Sequence, residues 1–113
     1  MMTSARFSMI GALALFALAL VVREAAAMSA AERRGRVLAV RLCAQCHAIG
    51  KNDASHRTGA PPLRQIERRV NLDTFASRLR QGLMSSHYDM PEFRFSREDA
   101  QAMVAYLRSI QAP

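Results

Sequence analysis

The sequence predicts an all-α domain of three main helices joined by loops. Three segments carry a capping residue at the start and apolar residues at helical spacing, and no useful stretch alternates apolar and polar residues as a strand would. A chain of 113 residues has the length of one domain. Because so small a domain buries little apolar surface and this one has no tryptophan, we expect a bound group to supply part of the core.

The first 27 residues have the pattern of a secretory signal. Arg6 gives a positive start, residues 9–22 are uncharged, and residues 25–27 are alanines that suit an A-x-A cleavage site. The apolar run is shorter than the roughly 20 residues of a membrane-spanning helix. We therefore predict a signal peptide over residues 1–27 and a periplasmic domain over residues 28–113. If the signal is not cleaved, it would anchor the domain to the membrane.

The first helix is expected to begin at Ser29, because Ser29 and Glu32 have the spacing of a capping box. Its apolar residues lead toward the two cysteines of the chain. Gly35 lies inside this helix, where glycine costs about 1 kcal/mol relative to alanine. A glycine at that position suits a close crossing with another helix.

The middle of the chain contains a polar loop, a proline pair and a second helix. Pro61 and Pro62 remove two backbone donors and leave free carbonyl groups. A short helical turn is expected over residues 63–69 and a helix over residues 72–81. Asn71 or Asp73 can cap the start of that helix, and Gly82 can end it.

The last helix is expected to begin at Ser96, after a loop over residues 82–95 that contains Pro91. Asp99 follows the cap by three residues, and Glu98 adds negative charge to the first turn. The apolar stripe that follows has helical spacing and consists of Ala100, Met103, Val104, Leu107 and Ile110.

The chain is strongly basic, with a formal net charge of +7. Nearly all of its basic residues are arginines, and no block of five or six like charges indicates a disordered arm. Such a surface would speed association with acidic partners. The alternative is that the arginines only solvate helix faces. An exported protein seldom meets nucleic acid, so we predict no nucleic-acid partner.

Cys43, Cys46 and His47 form the segment CAQCH. On the last turn of the first helix they would occupy positions i, i+3 and i+4 and project from one face. Two thiols and an imidazole can then meet one flat group, haem, whose two vinyl groups take the thiols and whose iron takes the imidazole. This spacing is the attachment pattern of haem c. Export agrees with it, because bacterial haem c is attached outside the cytoplasm.

Three other uses of the cysteine pair are less favoured. Structural zinc needs four ligands, and with His56 or His87 the set would be complete, but the usual second ligand pair is missing. A thioredoxin-like redox couple requires a βαβ context, for which the sequence gives no sign. A disulfide between Cys43 and Cys46 would close a very small loop and stabilise little.

The second axial position of the iron is assigned to Met90. Pro91 follows it and makes the loop rigid, and a methionine ligand raises the potential of a histidine-bound haem. Met103 lies on an apolar stripe, where methionine more often fills a core. The remaining alternatives are an open position or ligation by Met84, His87 or His56.

Taken together, these residues resemble a class I c-type cytochrome, a small monohaem bacterial cytochrome c. The resemblance covers residues 29–111 and rests on CAQCH, on GAPPL at residues 59–63, on Met90-Pro91 and on MVAYLRSI at residues 103–110. It implies a cytochrome c-like fold in which three main helices, short helical turns and loops wrap around one covalently bound haem c.

The resemblance also implies roles for single residues. Gly35 and Tyr106 stand where the family's first and last helices touch. Ala39 stands where the family usually has an aromatic residue, which predicts a less filled crossing. The carbonyl group of Pro61, or else of Pro62, is expected to accept a hydrogen bond from the second ring nitrogen of His47 and so to orient it.

The function that the sequence predicts is one-electron transfer, without catalysis, by a haem c with His47 and Met90 as axial ligands. Redox proteins with acidic docking surfaces are the expected partners of a monomer, or of a subunit of a redox complex, near a membrane. Two alternatives remain: a haem c subunit of a larger periplasmic dehydrogenase or oxidase complex, and a gas-binding or sensing protein with a displaceable sixth ligand.

Overall fold

The computed structural model describes residues 27–83 and 89–113. These residues form helix α1 (Ala30–Leu42), a 3₁₀ helix (Leu63–Arg68), helix α2 (Leu72–Gln81) and helix α3 (Arg97–Ile110). No strand occurs in either described range, and the predicted all-α class is confirmed. The predicted signal lies outside the described residues, apart from Ala27, and stays a prediction. None of the helices described is long and apolar enough to cross a membrane.

The caps predicted for α1 and α3 are present. The hydroxyl oxygen of Ser29 accepts a hydrogen bond from the amide of Glu32 at 3.1 Å, and the Glu32 carboxylate accepts one from the amide of Ser29 at 2.6 Å. At α3, the hydroxyl of Ser96 accepts from the amide of Asp99 at 3.1 Å. Caps of this kind typically contribute about 1 kcal/mol, and they set where both helices begin.

Helix α2 has the bounds predicted from the sequence, and the structure decides between its two candidate caps. The side chain of Asn71 accepts a hydrogen bond from the amide of Asp73 at 2.8 Å, so Asn71 is the cap. Gly82 ends the helix with a φ of +100°, a conformation that glycine adopts readily. The short turn before α2 is the 3₁₀ helix, which ends one residue earlier than expected.

The prediction that CAQCH lies on the last turn of α1 is wrong, because α1 ends at Leu42. The amides of Cys43 and Ala44 both donate to the carbonyl of Ala39, at 2.9 and 3.0 Å, and this shared acceptor breaks the regular helical pattern. The segment continues as a tight turn, in which the amides of Cys46 and His47 both donate to the carbonyl of Cys43. The two cysteines and the histidine are therefore brought together by this turn.

Helices α1 and α3 cross at Gly35, as the resemblance implies. A Cβ atom on Gly35 would lie 2.6 Å from the Cβ of Tyr106 and would overlap the carbonyl group of Ala102. Only glycine permits this approach. Ala39, one turn further along α1, is completely buried, and the expectation of a less filled crossing at this position stays a prediction.

The apolar core lies on the inner faces of α2 and α3, with contributions from α1 and the 3₁₀ helix. Its most buried side chains are Ala39, Leu63, Leu72, Phe75, Leu79, Ala100, Met103, Val104, Tyr106, Leu107 and Ile110. The candidate site lies beside this core, and residues of the loops at 43–62 and 89–95 contribute to it.

Candidate functional site

A cavity of about 590 Å³ lies between the CAQCH turn, the 3₁₀ helix, α2, α3 and the loop at residues 89–95. This volume falls within the range of about 300–1,000 Å³ that is usual for small-molecule sites. Most of the cavity wall is apolar, as is also usual for such sites. Its aliphatic and phenyl side chains are Leu42, Leu63, Ile66, Val70, Phe75, Leu79, Leu83, Phe93, Phe95 and Leu107.

The side chains of Cys43, Cys46 and His47 line the same cavity. Both cysteines are half-buried, and no disulfide joins them. Burial raises the pKa of the Cys43 thiol to about 11, so this thiol is protonated at neutral pH. Both residues thus bring free thiol groups to the lining of the cavity.

The ring of His47 is oriented by the backbone of Pro61. The Nδ1 atom of His47 lies 2.8 Å from the carbonyl oxygen of Pro61. Because a carbonyl oxygen only accepts hydrogen bonds, Nδ1 carries the hydrogen, and in the neutral ring Nε2 keeps its lone pair. The carbonyl of Pro62, the alternative acceptor, instead accepts from the amide of Gln65 at 3.0 Å.

The loop between His47 and Pro61 is held by hydrogen bonds that the sequence did not reveal. The hydroxyl of Ser55 accepts from the amide of Ala48 at 2.9 Å. The Asp53 carboxylate accepts from the amides of Ile49 and Gly50 at 2.9 and 2.8 Å. The available sequence signal is an aspartate three residues after a glycine in a polar loop, since aspartate side chains often accept hydrogen bonds from nearby backbone amides.

The charge of Asp53 is stabilised by the same hydrogen bonds. The partial burial of this carboxyl group acts to raise its pKa, but the amides of Ile49 and Gly50 and the charge of Arg64 outweigh that effect and lower the pKa. The amide of Leu63 donates to the carbonyl of Ala48 at 2.9 Å and ties the same loop to the 3₁₀ helix. These hydrogen bonds fix the loop that joins His47 to Pro61, and the loop holds the carbonyl group of Pro61 beside the His47 ring.

Two methionines lie on the cavity wall within the described residues. Met90 is half-buried and lies in the loop before α3, whereas Met103 belongs to α3 and is 3% exposed. His56 is exposed and is not among the described residues that line the cavity. Met84 and His87, which the sequence offered as alternative ligands, lie outside the described residues.

Three arginines stand at the edge of the cavity with exposed side chains: Arg57, Arg69 and Arg78. The guanidinium of Arg78 lies 5.8 Å from the centre of the Phe75 ring, within the range of a cation–π contact. Arg57 forms an ion pair with Asp89, the residue before Met90. No sequence pattern distinguishes these three arginines from the others in the chain, because only the fold brings them to the cavity edge.

The residues at this cavity fit a haem. One part of the lining offers two thiols and an imidazole nitrogen with a free lone pair, and two methionines line the same cavity. The remaining surface is largely apolar, as a porphyrin requires. The arginines at the edge suit the carboxylates that haem carries.

Comparisons with known proteins agree with this chemistry. Residues 30–107 match the model of the family described as cytochrome c oxidase, cbb3-type, subunit III. The chain is also 31% identical over 94 residues to a cytochrome c-552 of Bradyrhizobium diazoefficiens, covering 83% of this chain and 88% of that protein. No solved structure matches the chain. The family match and the relative together show that this chain belongs to the c-type cytochromes, whose members are haem-binding electron-transfer proteins.

Proposed function

We propose that this protein is a one-electron carrier with one haem c, attached covalently through Cys43 and Cys46 and ligated by His47 and Met90. The observation that carries the proposal is that these four side chains line one largely apolar cavity. When bound, haem supplies an iron that alternates between the ferric and ferrous states, and the chain's own residues hold and orient it.

The CAQCH turn provides three of the four attachments. The thiols of Cys43 and Cys46 would form thioethers and fix the position of the group in the cavity. The hydrogen bond from Nδ1 of His47 to Pro61 fixes the ring and leaves Nε2 as the nitrogen for the iron. A hydrogen bond of this kind also makes the imidazole a more basic ligand.

Met90 is a better candidate than Met103 for the second axial ligand. Met103 lies in the buried core cluster, so moving its sulfur toward a metal would disturb packing between α2 and α3. Met90 comes from a loop, and Pro91 restricts its backbone to extended conformations. Occupation of both axial positions by side chains would leave no place for a substrate, as an electron carrier requires.

The arginines at the cavity edge support an acidic redox partner. Arg69 and Arg78 are exposed beside the cavity, where they would attract a negatively charged surface. Exposed charges are screened by salt, so we expect electron exchange with such a partner to slow as ionic strength rises. The signal pattern over residues 1–27 supports placing this exchange in the periplasm.

A second candidate is the same chemistry in a subunit of a larger complex. It is favoured by the description of the matching family, which names a subunit of a cbb3-type cytochrome c oxidase. Purification of the native protein without overexpression separates the two candidates. A free carrier would elute alone at the size of the chain, whereas a subunit would elute with other redox proteins.

The test of the proposed carrier is an optical and redox titration of the exported protein. We expect a reversible one-electron transition, a weak sulfur-to-iron band in the oxidised form, and little binding of carbon monoxide to the reduced form. Met90→Ala should abolish the band and permit carbon monoxide to bind, whereas Met103→Ala should keep the band and lower stability by about 2–5 kcal/mol. A band that survives Met90→Ala would show that another residue is the ligand.

A further inference from the structure

We propose that the ion pair between Arg57 and Asp89 positions Met90 at the cavity, an inference that rests on the axial role proposed for Met90. The guanidinium of Arg57 contacts the carboxylate of Asp89, and both residues line the cavity. Asp89 directly precedes Met90 in the chain. The pair therefore links the loop that carries the sulfur to the segment between His47 and Pro61.

Arg57 is itself fixed to the CAQCH turn. Its amide donates to the carbonyl of Cys46 at 3.1 Å, and its carbonyl accepts from the amide of Ala60 at 3.1 Å. The backbone of Arg57 thus moves with the segment that holds His47 and Pro61. Its side chain contacts Asp89, so the position of that segment restrains the loop before α3.

Met90 is thereby restrained from both directions along the chain. Asp89 is held from outside by Arg57, and Pro91 limits the backbone conformations of Met90 itself. The side chains of Arg57 and Asp89 are 53% and 30% exposed, so solvent weakens the pair but does not surround it. The expected role is a modest bias toward the conformation in which the sulfur faces the cavity.

The same loop contains a second ion pair that serves as a matched control. Arg94 and Glu92 are 3.6 Å apart, with side chains 74% and 53% exposed. Both residues of this pair lie in the loop before α3, so it does not connect that loop to the CAQCH turn. Arg94→Gln removes the same charge as Arg57→Gln without touching the link between Arg57 and Asp89.

Displacement of Met90 by imidazole tests the proposal in the oxidised holoprotein. Imidazole must compete with the Met90 sulfur for the iron. A variant that holds Met90 less firmly should therefore show a higher apparent affinity for imidazole. We expect Arg57→Gln and Asp89→Asn each to bind imidazole about two- to fivefold more tightly than the wild type, as the loss of one partly exposed ion pair implies. The double variant should match either single variant, Arg57→Lys should restore weak binding, and Arg94→Gln should behave like the wild type.

Two results would overturn the inference, and they are distinguishable. If the wild type shows the sulfur-to-iron band but Arg57→Gln and Asp89→Asn bind imidazole no more tightly than Arg94→Gln, the positioning role is wrong and Met90 ligation stands. If the wild type lacks the band, Met90 is not the ligand, and the positioning role falls with it.

Discussion

Gly35 in α1 lies so close to Tyr106 in α3 that a Cβ on the glycine would be 2.6 Å from the Cβ of Tyr106. The same atom would overlap the backbone carbonyl of Ala102, which cannot rotate away as a flexible side chain could. The distance between the two helices is therefore set by the absence of a side chain at one position. Tyr106 in turn reaches the loop that follows the CAQCH turn, so the crossing supports the candidate site.

Substitution of that glycine should destabilise the protein, although it improves helix propensity. Alanine favours a helix interior by about 0.8–1.0 kcal/mol over glycine. In Gly35→Ala, the overlap with α3 should reverse this gain, with a net loss of about 1–3 kcal/mol in the free energy of unfolding, measured by urea denaturation. The exposed Val37→Ala in the same helix should change it by less than about 0.5 kcal/mol. A stabilised Gly35→Ala variant would contradict the close crossing.

The hydroxyl of Tyr106 donates a hydrogen bond to the carbonyl of Ile49 at 2.6 Å and thereby joins α3 to the loop after His47. Tyr106→Phe leaves that carbonyl without this donor and should cost about 1–3 kcal/mol in unfolding free energy. The matched control is Ser109→Ala, since among the described residues the Ser109 hydroxyl bonds only to the carbonyl of Tyr106 in its own helix. Equal effects of the two substitutions would argue against a structural link through Tyr106.

The same hydroxyl predicts a loss of stability at high pH. Burial raises the pKa of Tyr106, so the phenol ionises more easily in the unfolded chain than in the folded one. The contribution of this hydroxyl to the free energy of unfolding is complete at pH values below the pKa of tyrosine in the unfolded chain, about 10. It falls as the pH rises through the higher pKa of Tyr106 in the folded protein. The stability difference between wild type and Tyr106→Phe should therefore shrink above about pH 10. A difference that stays constant there would contradict this account.

Asp53 predicts the opposite dependence at low pH. The hydrogen bonds from the amides of Ile49 and Gly50 lower the pKa of Asp53 in the folded protein. Its contribution to the free energy of unfolding is therefore present above the pKa of aspartate in the unfolded chain, about 4, and is lost as the pH falls through the folded pKa. The wild type should be more stable than Asp53→Asn at neutral pH, and urea denaturation should show the difference vanishing in acid. The exposed Glu67→Gln serves as the control. Parallel curves for wild type and Asp53→Asn would refute this role.

Local signals in the sequence predicted most of the helical framework. Ser29, Asn71 and Ser96 are caps whose side chains act on amides two or three residues away, so their effect can be predicted without knowledge of the fold. The position of Gly35 inside a helix likewise indicated a close approach. By contrast, α1 ends where the amides of Cys43 and Ala44 share the carbonyl of Ala39 as acceptor. No residue type in the sequence predicts this arrangement.

The candidate site was predictable where its residues are neighbours in the chain. Cys43, Cys46 and His47 lie within five consecutive residues, and their spacing alone predicts haem attachment. The ion pair between Arg57 and Asp89 joins two distant loops, and the chain has too many arginines for the sequence to single out one. The presence of Met90 and Met103 on one cavity wall likewise follows from the fold, so choosing between them requires their surroundings.

Covalent haem attachment through the CAQCH turn is the central claim, and mass spectrometry of the exported, denatured protein tests it directly. The wild-type chain should carry the additional mass of one haem after denaturation and acid extraction. Cys43→Ala or Cys46→Ala should leave a single thioether, and the double variant should lose the haem entirely under the same treatment. A wild-type chain whose haem is extracted, or a double variant that retains it, would contradict the claim.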